Sequence, residues 1–314
     1  MFEFHAELTP MDEHDCLLDA TAGPNGAMIA LWTTAEGAAA LTARYQDSGG
    51  ASFARSSAER PVSARVVTYT PEVCAVVPIA ELRSAFPTVQ ALPDGAVLVV
   101  GSRCRWSPEG PEHNAAVYGP DGALIRTGVL GDGIEHVAVS DSGDIWVGYF
   151  DEGVFGNYGW GGPGPKPIGS AGLVRFDRSL RPVWRLDDTD MADCYALNID
   201  GDTAWAYYYT EFPVARIAGG DTTIWDNPEG VAGAKAVAVA VAVAEDRVAL
   251  YGGYGRDGKR LVLGRLGDGR FHVEQTGRLD FPHLHEPDHI GLYGRGDTLH
   301  LVADQHWYRA RSLG

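Results

Sequence analysis

The chain is poor in basic residues and in cysteine, and it has no long apolar stretch. Lysine and arginine number 25 against 42 aspartates and glutamates, a formal net charge of −17. A nucleic-acid or anionic-membrane partner is therefore not expected, because a phosphate footprint requires clustered Lys and Arg. A basic partner is permitted by this charge but not indicated by it. The longest uninterrupted apolar run, Ala236 to Ala244, has nine residues, far short of the ~20 that span a bilayer. Its alternation of Ala and Val suits a buried strand. The four cysteines, Cys16, Cys74, Cys104 and Cys194, include no CxxC pair and read as reduced thiols of a cytoplasmic protein. The opening segment MFEFHAELTPMDEHD has no basic region followed by an apolar one, so no signal peptide is expected.

Glycine and turn-flanked β-rich runs are what the chain has in plenty. Forty glycines, eighteen prolines and 45% hydrophobic residues fit many short strands and many turns. The segment Gly133 to Phe150, GIEHVAVSDSGDIWVGYF, is the template. An alternating run, Val137 to Val139, meets the turn Asp141-Ser142-Gly143-Asp144, and a second run follows from Ile145 to Phe150, which reads as a hairpin. Comparable turns lie at Gly23-Pro24-Asn25-Gly26, Pro93-Asp94-Gly95, Asp200-Gly201-Asp202, Glu245-Asp246-Arg247 and Gly294-Arg295-Gly296-Asp297. Each leads into a β-rich strand, beginning at Met28, Val97, Thr203, Arg247 and Thr298. A second series of turns separates a third strand from a fourth in five of the six units. The sixth unit runs out after its third strand, and Phe2 to Leu8 supplies the missing one.

Six four-stranded units spaced by roughly 40–60 residues predict an all-β, six-bladed β-propeller with the N-terminal strand completing the last blade. The chain reads as a single domain, 1–314, with blades near 14–83, 86–131, 134–188, 193–228, 235–280 and 288–313 plus 1–9. A pair of β-sandwiches and a solenoid are the competing architectures, and a seventh blade could hide in the long first unit. The units PDGAVLVVGS and SDSGDIWVGYFDEGVFG resemble repeats of the NHL-type, SMP-30/gluconolactonase-like and streptogramin-lyase-like propellers, over Phe86 to Gly314. The resemblance implies the fold, and it implies hydrolysis or lyase cleavage of a small cyclic ester as one activity to expect.

With strands a to d running outward in each blade, the a–b and c–d turns share one face and are short. The b–c loops and d–a crossovers share the other face and hold the insertions Thr34 to Pro61, Arg103 to His113 and Asp151 to Gly172. Function sits on variable loops carried by a rigid scaffold, so a site is expected on the b–c face. The third insertion carries eight glycines and three prolines with Phe155, Tyr158 and Trp160. It reads either as a lid or pocket wall or as a plain surface loop.

The residues leading into strand a of each unit are Glu13-His14-Asp15, Pro87-Thr88, Glu135-His136, Asp193-Cys194, Lys235-Ala236 and Asp288-His289. In a ring these would aim imidazoles and carboxylates at one axial point, a donor set that suits Zn²⁺, Mn²⁺, Fe²⁺ or Mg²⁺. His14, His136 and His289 are the candidate ligands, and Glu135, Asp193 and Asp288 the candidate catalytic carboxylates. Asp151, Glu152, Tyr158, Trp160 and Glu211 are candidate substrate contacts. His283, His285, Glu286 and His306 lie nearby on the same face. A bound divalent ion, a metal-free acid–base pocket and purely structural roles all remain open, and a one-residue slip of register would turn these side chains away.

Other strings carry less. Gly253 to Lys259 matches GxxxxGK, but Arg260 stands where Ser or Thr is needed, and the segment joins two strands rather than a strand and a helix. Trp32, Trp146 and Trp205 occupy matching b strands and read as blade packing, whereas Trp106 and Trp160 lie in insertions. The function expected is a small-molecule enzyme, a metal-dependent hydrolase or lyase, at the axial mouth. The alternative is a non-catalytic propeller that binds a protein or ligand there. A closed ring has few free sheet edges, so a monomer is expected.

Overall fold

A computed structural model describes residues 2–47, 49–187, 190–240, 246–280 and 290–311. Six four-stranded antiparallel sheets form the blades. Blade 1 pairs Asp15–Ala22, Met28–Thr34, Ser57–Tyr69 and Val73–Ser84. Blade 2 pairs Pro87–Ala91, Val97–Gly101, Ala115–Tyr118 and Leu124–Gly128. Blade 3 pairs Ile134–Val139, Ile145–Tyr149, Leu173–Phe176 and Pro182–Arg185, and blade 4 pairs Asp193–Asp200, Thr203–Tyr209, Val214–Ala218 and Asp221–Trp225. Blade 5 pairs Ala236–Ala240, Arg247–Tyr251, Arg260–Gly267 and Arg270–Arg278. Blade 6 pairs Ile290–Arg295, Thr298–Ala303 and His306–Arg311 with the N-terminal strand Glu3–Glu7 outermost. The long first unit therefore holds one blade, with no seventh among the described residues.

The burial pattern follows from blades stacking face to face. Every residue of the second strands Val97–Gly101 and Ile145–Tyr149 is buried, because both faces of these strands meet a neighbouring sheet. Such strands read as unbroken apolar runs rather than alternating ones. The fourth strands, such as Leu124–Gly128, face water. Six apolar clusters result, one at each interface between neighbouring blades; Ile145 and Val147 meet Leu98 and Val117, while Trp32 and Met28 meet Val302 and Trp307.

Trp32, Trp146 and Trp205 are fully buried in second strands. Directly across the ladder each faces an arginine, Arg65, Arg175 and Arg216, and the guanidinium carbons of Arg175 and Arg216 lie 5.4 and 5.6 Å from the ring centres. That is cation–π distance, with the ring buried and the arginine partly exposed. The hairpin turns behave as read: Gly143 sits at φ 90°, where an L side chain would be strained, and the Ser140 N–H donates to the Asp144 carbonyl. Gly253 to Lys259 joins two antiparallel strands. All four cysteines are free thiols, and no helix among the described residues is long and apolar enough to cross a membrane.

Candidate active site

Three inner strands carry a bulge at the same level of the channel. Pairing skips Leu18 in blade 1, Glu135 in blade 3 and Tyr195 in blade 4. An extra residue in one strand bends it and re-aims the side chains around it. All three bulges lie toward the b–c face, so they shape the mouth.

One half of the mouth is a cavity of about 300 Å³ bordered by Leu18, Asp19, Thr88, Ile134, Glu135 and Tyr293. Asp19 accepts a hydrogen bond from the Val89 N–H at 3.2 Å. Burial pushes its carboxyl up from 3.8 to about 7, against the opposing effect of hydrogen bonds from Thr88 and the backbone. Burial, and then the charge of Asp19, raises the Tyr293 phenol far above its ordinary value. Asp19 is thus about half protonated at pH 7, in a cavity it shares with a phenol that keeps its proton.

Glu135, exposed on its bulge, links this cavity to the other half. There Asp193 is pushed to about 6 by burial, then by the charges of Glu135 and Asp151, while Lys235 opposes the shift. The Lys235 Nζ lies 4.4 Å from the centre of the Tyr195 ring. Tyr195 packs edge-on against Phe212 at 5.3 Å and Tyr254 at 6.0 Å, and the two tyrosine hydroxyls are hydrogen-bonded. Tyr209 and Tyr254 remain 46% and 54% exposed, so an aromatic wall borders the acidic mouth. Its turn is strained: Glu211 and Phe212 adopt φ 63° and 54°, costing on the order of 1–3 kcal/mol each. The Asn227 side-chain amide holds the Phe212 carbonyl at 3.0 Å.

The structure brings Asp193 within electrostatic reach of Glu135 and Asp151, and His136 within reach of Glu135. Burial lowers the His136 pKa, opposed by Glu135, and its Nε2 is buried without a hydrogen-bond partner. His14 is placed differently. It precedes its strand, is exposed, and pairs with Glu13 at 3.6 Å. Asp15 beside it serves a local turn, accepting from the Met11 and Asp12 N–H groups and pairing with Arg65 at 3.2 Å. The carboxylate that blade 1 contributes is Asp19, four residues further on and just past the bulge. Among the described residues no group of three or more His, Cys, Asp and Glu is arranged to hold a metal ion. Asp288 and His289, with His283, His285 and Glu286, lie outside the described residues. His306 tilts against the Phe4 and Tyr308 rings.

The third insertion is pinned down rather than free to close. Arg103, from the blade 2 insertion, is 8% exposed by its side chain and pairs with buried Asp132 at 2.8 Å and with Glu152. Its guanidinium carbon lies 4.1 Å from the centre of the Tyr158 ring. The Tyr158 hydroxyl reaches the Ala54 carbonyl of the first insertion, and the Trp160 indole donates to the Cys104 carbonyl at 2.8 Å. Glu152, Tyr158 and Trp160 thereby lock the three insertions together, while Asp151 and Glu211 stay exposed on the face. Asp19 and Tyr195 were not evident as site residues, because the bulges that re-aim their strands leave no mark in the hydrophobic pattern. Phe212 and Tyr254 lie in loops and Tyr293 on an unbulged strand, and only the fold brings them to the mouth.

No family model matches the chain, and no curated protein sequence does so. Among solved structures it is similar to virginiamycin B lyase of Staphylococcus aureus, a catalytically inactive variant with quinupristin, at 10% identity over 98% of this chain and 99% of that one, TM-score 0.43. It is also similar to a chain of a mitotic checkpoint complex (11% identity, 99% and 97% covered, TM-score 0.48). A third is apo AztD of Citrobacter koseri (11%, 91% and 80%, 0.46). At such identities and TM-scores these likenesses carry no argument about activity, substrate or partner. By its own sheet topology the chain is an all-β, six-bladed propeller of four-stranded blades.

Proposed function

We propose that the b–c mouth binds a small molecule and acts on it by general acid–base chemistry, as a hydrolase or lyase. The observation that carries this reading is the meeting of Asp19, Glu135 and Asp193 from three blades, two of them holding protons to about pH 7 and about 6. Carboxyls set apart by their surroundings are how one site supplies both an acid and a base near neutrality. Asp19 is the acid, donating its proton to a leaving oxygen. Glu135, accessible on its bulge, is the base, taking a proton from water in hydrolysis or from carbon in an elimination. The Lys235 ammonium stabilises negative charge developing on the substrate. The wall of Tyr195, Phe212, Tyr209 and Tyr254 suits a ligand with an apolar or aromatic ring, and a small ester or lactone would use all of these features.

A divalent ion fits this set poorly. The orphaned Nε2 of His136 and the Glu135 and Asp193 carboxylates would each favour a cation, but the described residues supply no three-ligand cluster. No step is assigned to a metal. The exposed tyrosines also favour a second reading, ligand or protein binding without turnover. The test is a screen of small cyclic esters with apolar substituents, run on the wild-type chain and on Glu135→Gln. Catalysis requires turnover that falls by roughly 10²–10⁴ in the variant while binding persists. Binding alone, equal in both proteins, selects the second reading; no binding to the mouth removes both.

A further inference from the structure

A second cavity, of about 280 Å³, opens on the opposite face, where the a–b turns of blades 1, 3, 4 and 6 meet. Blade 6 lines it with Arg295, His300, Arg309 and Arg311. On neighbouring strands His300 lies opposite Arg309 and Thr298 opposite Arg311, so these groups share one face of the sheet. Arg295 and His300 are only 8% and 1% exposed. In a chain of net charge −17, three arginines gather around this opening, and Asp141, Asp200 and Asp297 line it with them.

The decisive feature is a surplus of donors. The Trp307 indole donates to His300 Nδ1 at 3.1 Å. A neutral imidazole that accepts at Nδ1 carries its proton on Nε2, and that buried Nε2 has no partner. The Nη1 of Arg295 and the Nε of Arg309 are also buried without an acceptor. Existing acceptors are few: Asp141 lies 3.7 Å from the Arg295 Nη2, and the Gly26 carbonyl takes one bond from Arg309. The remaining carboxylates, Asp200 and Asp297, sit exposed at the rim. Arg311 pairs with no carboxylate among the described residues. A buried donor left unmatched costs on the order of 1–3 kcal/mol, and several around one cavity call for an acceptor with several oxygens.

We propose that this cavity binds a phosphate-type oxyanion, either free phosphate or the phosphate group of a small monoester. Guanidinium forks match tetrahedral phosphate oxygens in paired hydrogen bonds, and the cavity leaves room beside the phosphate for a small organic part. The rim aspartates disfavour polyanions, which keeps the ligand small. The site is separate from the b–c mouth and stands whether or not that mouth is catalytic.

The test is isothermal titration of the full chain near neutral pH and at fixed ionic strength, with inorganic phosphate and with glycerol 3-phosphate as probes. Saturable one-to-one binding is expected, weakened by roughly tenfold or more in Arg311→Gln and in Arg309→Gln, and unchanged in Glu135→Gln. Tighter binding of glycerol 3-phosphate assigns the site to a monoester, and equal binding assigns it to free phosphate. Arg311 is exposed, so its substitution leaves the fold intact and decides the matter even if Arg309→Gln unfolds. Absence of binding by both probes, or binding indifferent to Arg311→Gln, overturns the proposal.

Discussion

Replacing Asp19 with asparagine should stabilise the protein, and should do so only at higher pH. The folded state raises this carboxyl from 3.8 to about 7, a preference for the protonated form of about 4 kcal/mol in all. A raised folded pKa means that the contribution is fully present below the unfolded value and is lost as pH rises through the folded one. The wild type at about pH 8 must therefore hold a carboxylate against the burial that disfavours it. The amide introduced by Asp19→Asn would stay neutral at every pH, and its carbonyl oxygen would still accept the Val89 N–H. Between about pH 5 and about pH 8 the linkage relation makes the variant's advantage grow by about 2.5 kcal/mol, nearer 2 where water in the cavity screens the charge. Urea unfolding at several pH values, with the slope checked for constancy, measures it. A stability difference that does not change with pH, or a variant less stable than wild type at pH 8, would refute the argument. A stabilising substitution at this position is also what a site that trades stability for chemistry should show.

Three further outcomes follow from the same packing. Arg103→Met leaves Asp132, 1% exposed by its side chain, without its cation, and should cost about 3–5 kcal/mol in thermal or urea unfolding; a loss under about 1 kcal/mol would mean that Asp132 simply protonates. Gly148→Ala places a methyl 2.6 Å from the Cys194 Sγ and should cost about 1–3 kcal/mol, with part of the loss recovered in the double variant with Cys194→Ala. Burial keeps His136 below its ordinary pKa and takes His300 from 6.5 to about 3, so the His300 imidazole should not titrate in nitrogen-15 spectra between about pH 5.5 and about 8, and the His136 midpoint should fall below the ordinary histidine value. A lowered histidine pKa adds stability that is present above 6.5 and lost as pH falls, so His300 should make the fold sensitive to mild acid.

The architecture was legible because hairpin turns and unbroken apolar runs are local signals. Asp141-Ser142-Gly143 and Met28–Thr34 announce themselves within a few residues, and the blades follow by counting. The mouth was legible only in part. Glu135, Asp151 and Asp193 come together as their places in the repeat require. Blade 1 broke the pattern: its unit was phased on Glu13-His14-Asp15, whereas the bulge at Leu18 hands the inward position to Asp19. A bulge depends on how two strands pair, and nothing in the polarity of DCLLDATA fixes it. Tyr158 and Trp160 misled in a different way. Aromatics in a glycine-rich insertion suit a lid, but Arg103 lies some fifty residues earlier, and only their meeting in space turns these rings into anchors. The Arg–Trp pairing across neighbouring strands was visible in hindsight at Trp146 and Arg175, once the register was known.

The last blade borrows its outer strand, Glu3–Glu7, from the far end of the chain, where it lies along His306–Arg311. During synthesis the circle therefore stays open until His306–Arg311 leaves the ribosome, however early the other sheets assemble. A nascent chain would wait with Glu3–Glu7 still lacking its neighbour, a strand that the finished blade 6 of a second copy could take up. Crowded expression should thus favour exchanged dimers built from unaltered blades, and slowing the appearance of new chains should favour the closed single ring.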